Sequence, residues 1–216
     1  MTNEHYKANC STLECMKGSL NMTNVLIIGA NGSLARVAID MLLKETDAEL
    51  TLYLRNSRRL RNIDTNRVRV IEGDVMDLEK LKEAMIGQDV IYANLAGNLE
   101  QMAKTIVDAM DDTGVKRLIW VSSMGIYDEV PGESHGSILN PYRKSAAVIE
   151  ASDLDYTILR PGWFTNRDEI DYETTQKGEP FKGHDVSRKS IADLIVKLAI
   201  TPGLEVRSSL GVNKPV

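Results

Sequence analysis

Gly29-Ala30-Asn31-Gly32-Ser33-Leu34-Ala35-Arg36 lies between an apolar run, Val25-Leu26-Ile27-Ile28, and a segment from Leu34 to Lys44 whose apolar residues recur at helical spacing. This is a place to hold phosphate. Glycines in such a turn remove side chains where a pyrophosphate must approach the backbone, and the helix that follows offers unpaired N–H groups and the positive end of its dipole. The spacing is Gly-x-x-Gly-x-x-Ala, a variant of the Gly-x-Gly-x-x-Gly form, and its weight comes from its position between a strand and a helix. Gly29, Asn31, Gly32, Ser33 and Leu34 are the first candidate ligands of a dinucleotide.

Arg55 follows 20 residues after Ala35, at the end of the next apolar run, and Asn56, Ser57, Arg58, Arg59 and Arg61 come after it. A carboxylate at this position would accept hydrogen bonds from the ribose hydroxyls of NAD. A guanidinium instead makes paired, charge-assisted bonds to a 2′-phosphate, which a carboxylate would repel. The residue type therefore favours NADP, with NADPH preferred over NADH.

The elements that must carry these residues alternate. The spacing predicts strands over 25–28, 49–54, 68–72, 89–93, 117–122 and 156–160. It predicts helices over 34–44, 78–85, 99–112, 141–151 and 188–200, and an edge strand over 206–212. Strand–helix alternation means an α/β fold, a Rossmann-like doubly wound parallel sheet covered on both faces, because parallel connections need crossovers. Residues 127–140 hold Pro131, Gly132 and Gly136 and read as a loop over the site; His135 within it reads as solvent-exposed.

Composition sets the outer bounds. At 216 residues, with 43% apolar and 26% charged residues, the chain reads as one globular domain over 22–216 preceded by an extension over 1–21. A net charge of −5 gives no reason to expect nucleic acid. No apolar stretch approaches the ~20 residues of a membrane span, and a cytoplasmic location is the expectation. Cys10 and Cys15 lie in the extension, with His5 as the one further candidate ligand nearby, so no metal site is expected.

With these pieces in place, the chain resembles the atypical short-chain dehydrogenase/reductase group over about residues 24–200. More narrowly it is similar to the compact NAD(P)-binding branch that includes NmrA-like regulators and flavin/biliverdin reductases. The ordered motifs are the glycine turn, Gly73-Asp74-Val75, Asn94-Leu95-Ala96-Gly97, Val121-Ser122-Ser123-Met124-Gly125-Ile126-Tyr127, and Leu159-Arg160-Pro161-Gly162. The resemblance implies that Asp74 and Val75 contact adenine. It also implies that Ala93, Asn94 and Leu95 line the ribose and phosphates, and that Pro161, Gly162 and Trp163 lie against the nicotinamide.

The catalytic pattern departs from the family. Its Tyr-x-x-x-Lys pair, in which lysine lowers the tyrosine pKa and holds the nicotinamide ribose, has Lys144 in place but Asn140 at the tyrosine position. Tyr142 stands two residues from Lys144, a spacing that points two helical side chains apart. The resemblance leaves Lys144 to hold the ribose and Ser123 to orient a substrate carbonyl, with Tyr127 as a substitute proton donor if its loop folds inward. Two activities fit: an NADPH-dependent reductase of a small conjugated or carbonyl acceptor (flavin, quinone or tetrapyrrole), or a non-catalytic NADP-binding sensor acting on a protein partner. Epimerase chemistry ranks last, because only about 50 residues follow Pro161. A homodimer is compatible with either.

Overall fold

In the computed structural model of this chain, residues 22–60, 66–133 and 136–215 are described. The first apolar run forms β1 (Asn24–Ile28), whose side chains alternate between two cores. Val25 and Ile27 join one core, and Leu26 and Ile28 the other. Because successive strand residues point to opposite faces, a strand covered on both sides must be apolar throughout.

The chain then runs through α1 (Ser33–Glu45), β2 (Glu49–Leu54), β3 (Val68–Glu72), α2 (Leu78–Met85), β4 (Val90–Ala93), α3 (Leu99–Thr113), β5 (Arg117–Val121) and α4 (Asn140–Glu150). It continues through β6 (Asp155–Pro161), β7 (Trp163–Thr165), β8 (Glu173–Thr175), β9 (Asp185–Ser187), α5 (Arg188–Ile200) and β10 (Ser208–Asn213). Eight strands form one sheet in the order β3-β2-β1-β4-β5-β6-β10-β8, parallel except for β8, and β7 pairs with β9 in a small separate ladder. Helices α1 and α5 cover one face; α2, α3 and α4 cover the other.

Strand order reverses direction between β1 and β4. At such a switch point the two flanking connections leave on opposite faces and open a crevice at the carboxyl ends of the strands. The glycine turn, the end of β2, the turn after β3 and the turn after β4 all meet there.

The segment expected as an edge strand over 206–212 is not at an edge. β10 begins at Ser208, after a tight turn in which Glu205 and Arg207 adopt φ of 50° and 55°. It lies between β6, to which it is parallel, and β8, to which it is antiparallel. The short β8 covers its outer side and becomes the edge itself. The extension, Arg61 and His135 lie outside the described residues, as does the side chain of Arg59. No helix among the described residues is long and apolar enough to cross a membrane.

Candidate dinucleotide site

The glycine turn is shaped first by its neighbour. Gly29 has φ +84°, and a Cβ there would stand 2.2 Å from the carbonyl oxygen of Asn94; one on Gly32 would stand 2.3 Å from Asn94 Nδ2. The turns after β1 and β4 are thus in backbone contact, which only glycine permits. Gly32 is also the N-cap of α1 and brings no capping side chain, and the first turn holds no acidic residue. The N–H groups that open α1 therefore keep their positive field for an external anion. Asn31 donates from Nδ2 to the Asn56 carbonyl at 2.8 Å, while its buried Oδ1 has no partner among the described residues. An unpaired buried acceptor beside an uncapped helix start fits a site completed by a ligand.

A cleft of about 760 Å³ opens over this turn. Its walls come from Gly29 and Asn31 to Leu34, from Arg55 and Asn56, from Gly73 to Met76, from Asn94 to Ala96, and from Met102 and Phe164. Arg55 stands exposed just after β2, on the wall of the same cleft as the glycine turn. Asp74 accepts from the Met76 N–H at 3.0 Å, whereas α2 is capped by Asp77, which accepts from the Lys80 N–H at 3.2 Å. Asp74 is therefore not the cap of that helix.

Tyr53, which sequence reasoning passed over, braces this wall. Its hydroxyl donates to the Asp74 carbonyl at 2.9 Å, and a Cβ on Gly73 would meet that hydroxyl oxygen at 2.3 Å. Burial, then the nearby Asp77 and Asp74 carboxylates, push its phenol up to about 12, so it stays a neutral donor. The one aromatic ring in β2 was the available signal.

The reacting end is arranged differently from expectation. Of the residues assigned there, Ser123, Tyr127, Lys144, Pro161, Gly162 and Trp163 do not line the cleft, and neither does Ala93; Phe164 does. Neighbouring strand residues point to opposite faces, and here it is Trp163 that turns outward, 61% exposed, with the His184 ring 6.5 Å away. Gly162 is needed for close packing: its Cβ would stand 2.5 Å from the His184 carbonyl. The Pro161 carbonyl accepts from the Met124 N–H at 3.2 Å, and Ser123 Oγ donates to the Met124 carbonyl at 3.1 Å.

Tyr127 does not fold toward the cleft. Its hydroxyl donates to Glu150 Oε1 at 2.6 Å and lies 3.2 Å from Ser209 Oγ, with the Lys177 ammonium 4.4 Å from the ring centre. Burial and then the Glu150 hydrogen bond push the phenol further up, the wrong direction for a proton donor near neutral pH. The physical reason is a buried hub beneath it. Arg160, wholly buried, pairs with Glu129 and donates to Ser209 Oγ and to the Ser209 carbonyl, each at 3.1 Å. Glu129 in turn accepts from the N–H groups of Gly125 (3.0 Å) and Tyr127 (2.9 Å), drawing that loop onto β6 and β10.

The Lys144 ammonium sits 3.3 Å from Glu100 at the start of α3, and is 64% exposed. Tyr142 packs against the core under α4, so the two side chains diverge as their spacing requires. Arg188, at the first turn of α5, was not singled out in sequence; its Nε donates to Ser33 Oγ at 3.1 Å.

Residues 29–202 match the NAD(P)H-binding family. The chain belongs to that family. It is 44% identical to a Rossmann-fold NAD(P)-binding family protein from Shigella flexneri, with 90% of this chain and 94% of that one covered and a TM-score of 0.81. It is 31% identical to a short-chain dehydrogenase/reductase from Veillonella parvula solved in complex with NADP (89% and 95% covered, TM-score 0.82). ChuY, an anaerobillin reductase from Escherichia coli, shares the fold at 22% identity (89% and 98% covered, TM-score 0.77). An uncharacterized sugar epimerase of Bacillus subtilis, YhfK, is 23% identical over 188 residues, 80% of this chain and 86% of that protein.

Proposed function

We propose that this protein is an NADPH-dependent reductase that passes hydride to a small conjugated or carbonyl acceptor of flavin, quinone or tetrapyrrole type. The observation that carries the reading is Arg55, which lines the same cleft as the glycine turn at the position where an NAD-preferring site would hold a carboxylate. In this reading the α1 N–H groups and Asn31 hold the pyrophosphate, Arg55 the 2′-phosphate, and Asp74 and Val75 the adenine. Asn94 and Leu95 flank the ribose. When bound, the reduced nicotinamide supplies the hydride.

The protein's own task at the reacting end is then orientation and exclusion of water. Tyr127 is tied to Glu150, and the position of the family's tyrosine is held by Asn140, which is no acid. A conjugated acceptor takes hydride at one centre of its π system (a ring nitrogen in a flavin) and its proton from water, so it needs no phenol. The nicotinamide would have to extend beyond the cleft wall for Ser123, two residues past β5, to orient a carbonyl, and Lys144 would exchange Glu100 for the ribose. ChuY, with the same fold, is named for reduction of a tetrapyrrole-type compound, which supports this acceptor class. The epimerase name of YhfK points elsewhere. Against it, the residues after β6 are taken up by α5, β10 and β8 in completing this fold, so a separate sugar-binding domain is not built from them.

A second reading, a non-catalytic NADP sensor, is favoured by the Lys144–Glu100 pair, which holds the one remaining member of the relay away from the cleft. Calorimetric titration with NADPH and NADH, followed by NADPH oxidation assays with flavins, quinones and tetrapyrroles, separates the two. Preference for NADPH with turnover of at least one acceptor class is expected. Tight NADPH binding without turnover of any would leave the sensor. In Arg55→Asp, NADPH affinity should fall roughly 10- to 100-fold, the scale of a lost charge-assisted pair, while NADH affinity changes little. Equal losses for both cofactors would remove the 2′-phosphate role.

A further inference from the structure

We infer that Arg188 is a pyrophosphate ligand of this site, a cation delivered to the glycine turn from the far end of the chain. The inference rests on the dinucleotide reading above and extends it to a residue outside every motif of the sequence. Two sources of positive potential meet at the start of α1. Its first turn has neither a side-chain cap nor an acidic residue, and the Arg188 guanidinium is hydrogen-bonded to its first residue; α5, which opens with Arg188, is by contrast capped by Ser187. Like potentials packed together are unfavourable unless an anion joins them.

The side chain is aimed rather than loose. Its guanidinium lies 5.0 Å from the centre of the Phe164 ring, a residue of the cleft wall. Nε donates to Ser33 Oγ, and Nη1 donates to Asn166 Oδ1 at 2.8 Å and to the Thr165 carbonyl at 3.3 Å. Nη2 makes no hydrogen bond among the described residues, and no carboxylate among them pairs with Arg188. The neighbouring acid, Asp168, is engaged by Lys189 at 2.6 Å. Arg143, Arg160 and Arg167 each have a carboxylate partner, whereas Arg67, Arg117 and Arg207, like Arg188, donate to uncharged oxygens. A guanidinium held against an aromatic face, hydrogen-bonded to the first residue of α1 and lacking a counter-ion, keeps the two N–H groups of Nη2 for an anion at that helix start.

The test uses Arg188→Gln and Arg188→Lys in the full chain, each titrated with NADPH, NADH and adenosine 2′-monophosphate, which lacks the pyrophosphate. Arg188→Gln should weaken NADPH and NADH by the same factor, roughly 10- to 100-fold, and leave adenosine 2′-monophosphate within about twofold. Arg188→Lys, which keeps the charge but loses the fork, should lose roughly three- to tenfold on both dinucleotides, and decides the matter if the glutamine variant does not fold. Unchanged dinucleotide affinity in a folded variant would overturn the assignment, and so would a loss confined to NADPH and adenosine 2′-monophosphate. If the wild-type protein binds neither dinucleotide, the cofactor reading fails first and takes this one with it.

Discussion

Arg160 and Glu129 show what single side chains contribute here. The pair is buried, and removing one partner leaves an uncompensated charge, which costs about 3–5 kcal/mol. Glu129→Gln should lower the thermal midpoint accordingly. Its pH dependence has a definite sign. Burial alone would raise the Glu129 pKa; hydrogen bonds from backbone N–H groups and then the Arg160 charge outweigh it and hold the carboxyl below its ordinary 4.5. A lowered folded value means that the contribution is complete above the unfolded pKa and is lost as pH falls through the folded one. The stability gap between wild type and Glu129→Gln should therefore be constant above about pH 5.5 and narrow below 4.5. A gap that widens in acid would contradict the assignment. None of this was legible in the sequence: Arg160 was visible only as part of a motif, and its partner lies 31 residues earlier in a loop. Arg188 was hidden for the same reason. Its relation to Ser33 spans 155 residues, and no local pattern encodes it.

At the level of elements, the sequence was a good guide wherever periodicity was sustained. The runs over 49–54, 68–72, 78–85 and 188–200 coincide with β2, β3, α2 and α5: β2 and the helices because burial imposes their apolar spacing, and β3, a largely exposed edge strand, through its β-branched residues and its pairing with β2. β7, β8 and β9 were missed. Each is three residues long, too short for any period, and exists through pairing with distant chain. The turns were read correctly as glycine-dependent but for an incomplete reason. Gly29→Ala should destabilise the protein by more than about 1 kcal/mol even without cofactor, because φ +84° and the Asn94 carbonyl both oppose a Cβ. Thermal denaturation of the nucleotide-free variant checks this; an unchanged midpoint would mean that the glycine serves the ligand alone.

Across the whole molecule, the cleft is assembled from four successive strand ends, so ligand binding should be linked to global stability. Saturating the site at about 100 times Kd adds about 2.7 kcal/mol to unfolding, or roughly 5–10 °C for a chain of this size. Differential scanning fluorimetry with NADPH should show such a shift, and Arg188→Gln should show a smaller one at equal ligand concentration. The fold class and the glycine-turn wall of the cleft were legible because they depend on local strand–turn–helix units. The reacting end was not, since the outward turn of Trp163 and the capture of Tyr127 by Glu150 are set by packing between remote segments.

The interior position of β10 bears on how the chain is built. During synthesis β6 and β8 emerge before Ser208, and until then the flank of β6 is an open template for other chains. Arg160 meanwhile lacks the Ser209 oxygens that will receive two of its hydrogen bonds. The strand made after every other in this sheet is the one that both seals an adhesive edge and completes the hydrogen bonds of a buried arginine. Nascent chains stalled between β8 and β10 should therefore depend on chaperones, and release of residues 208–213 should end that dependence in a single step.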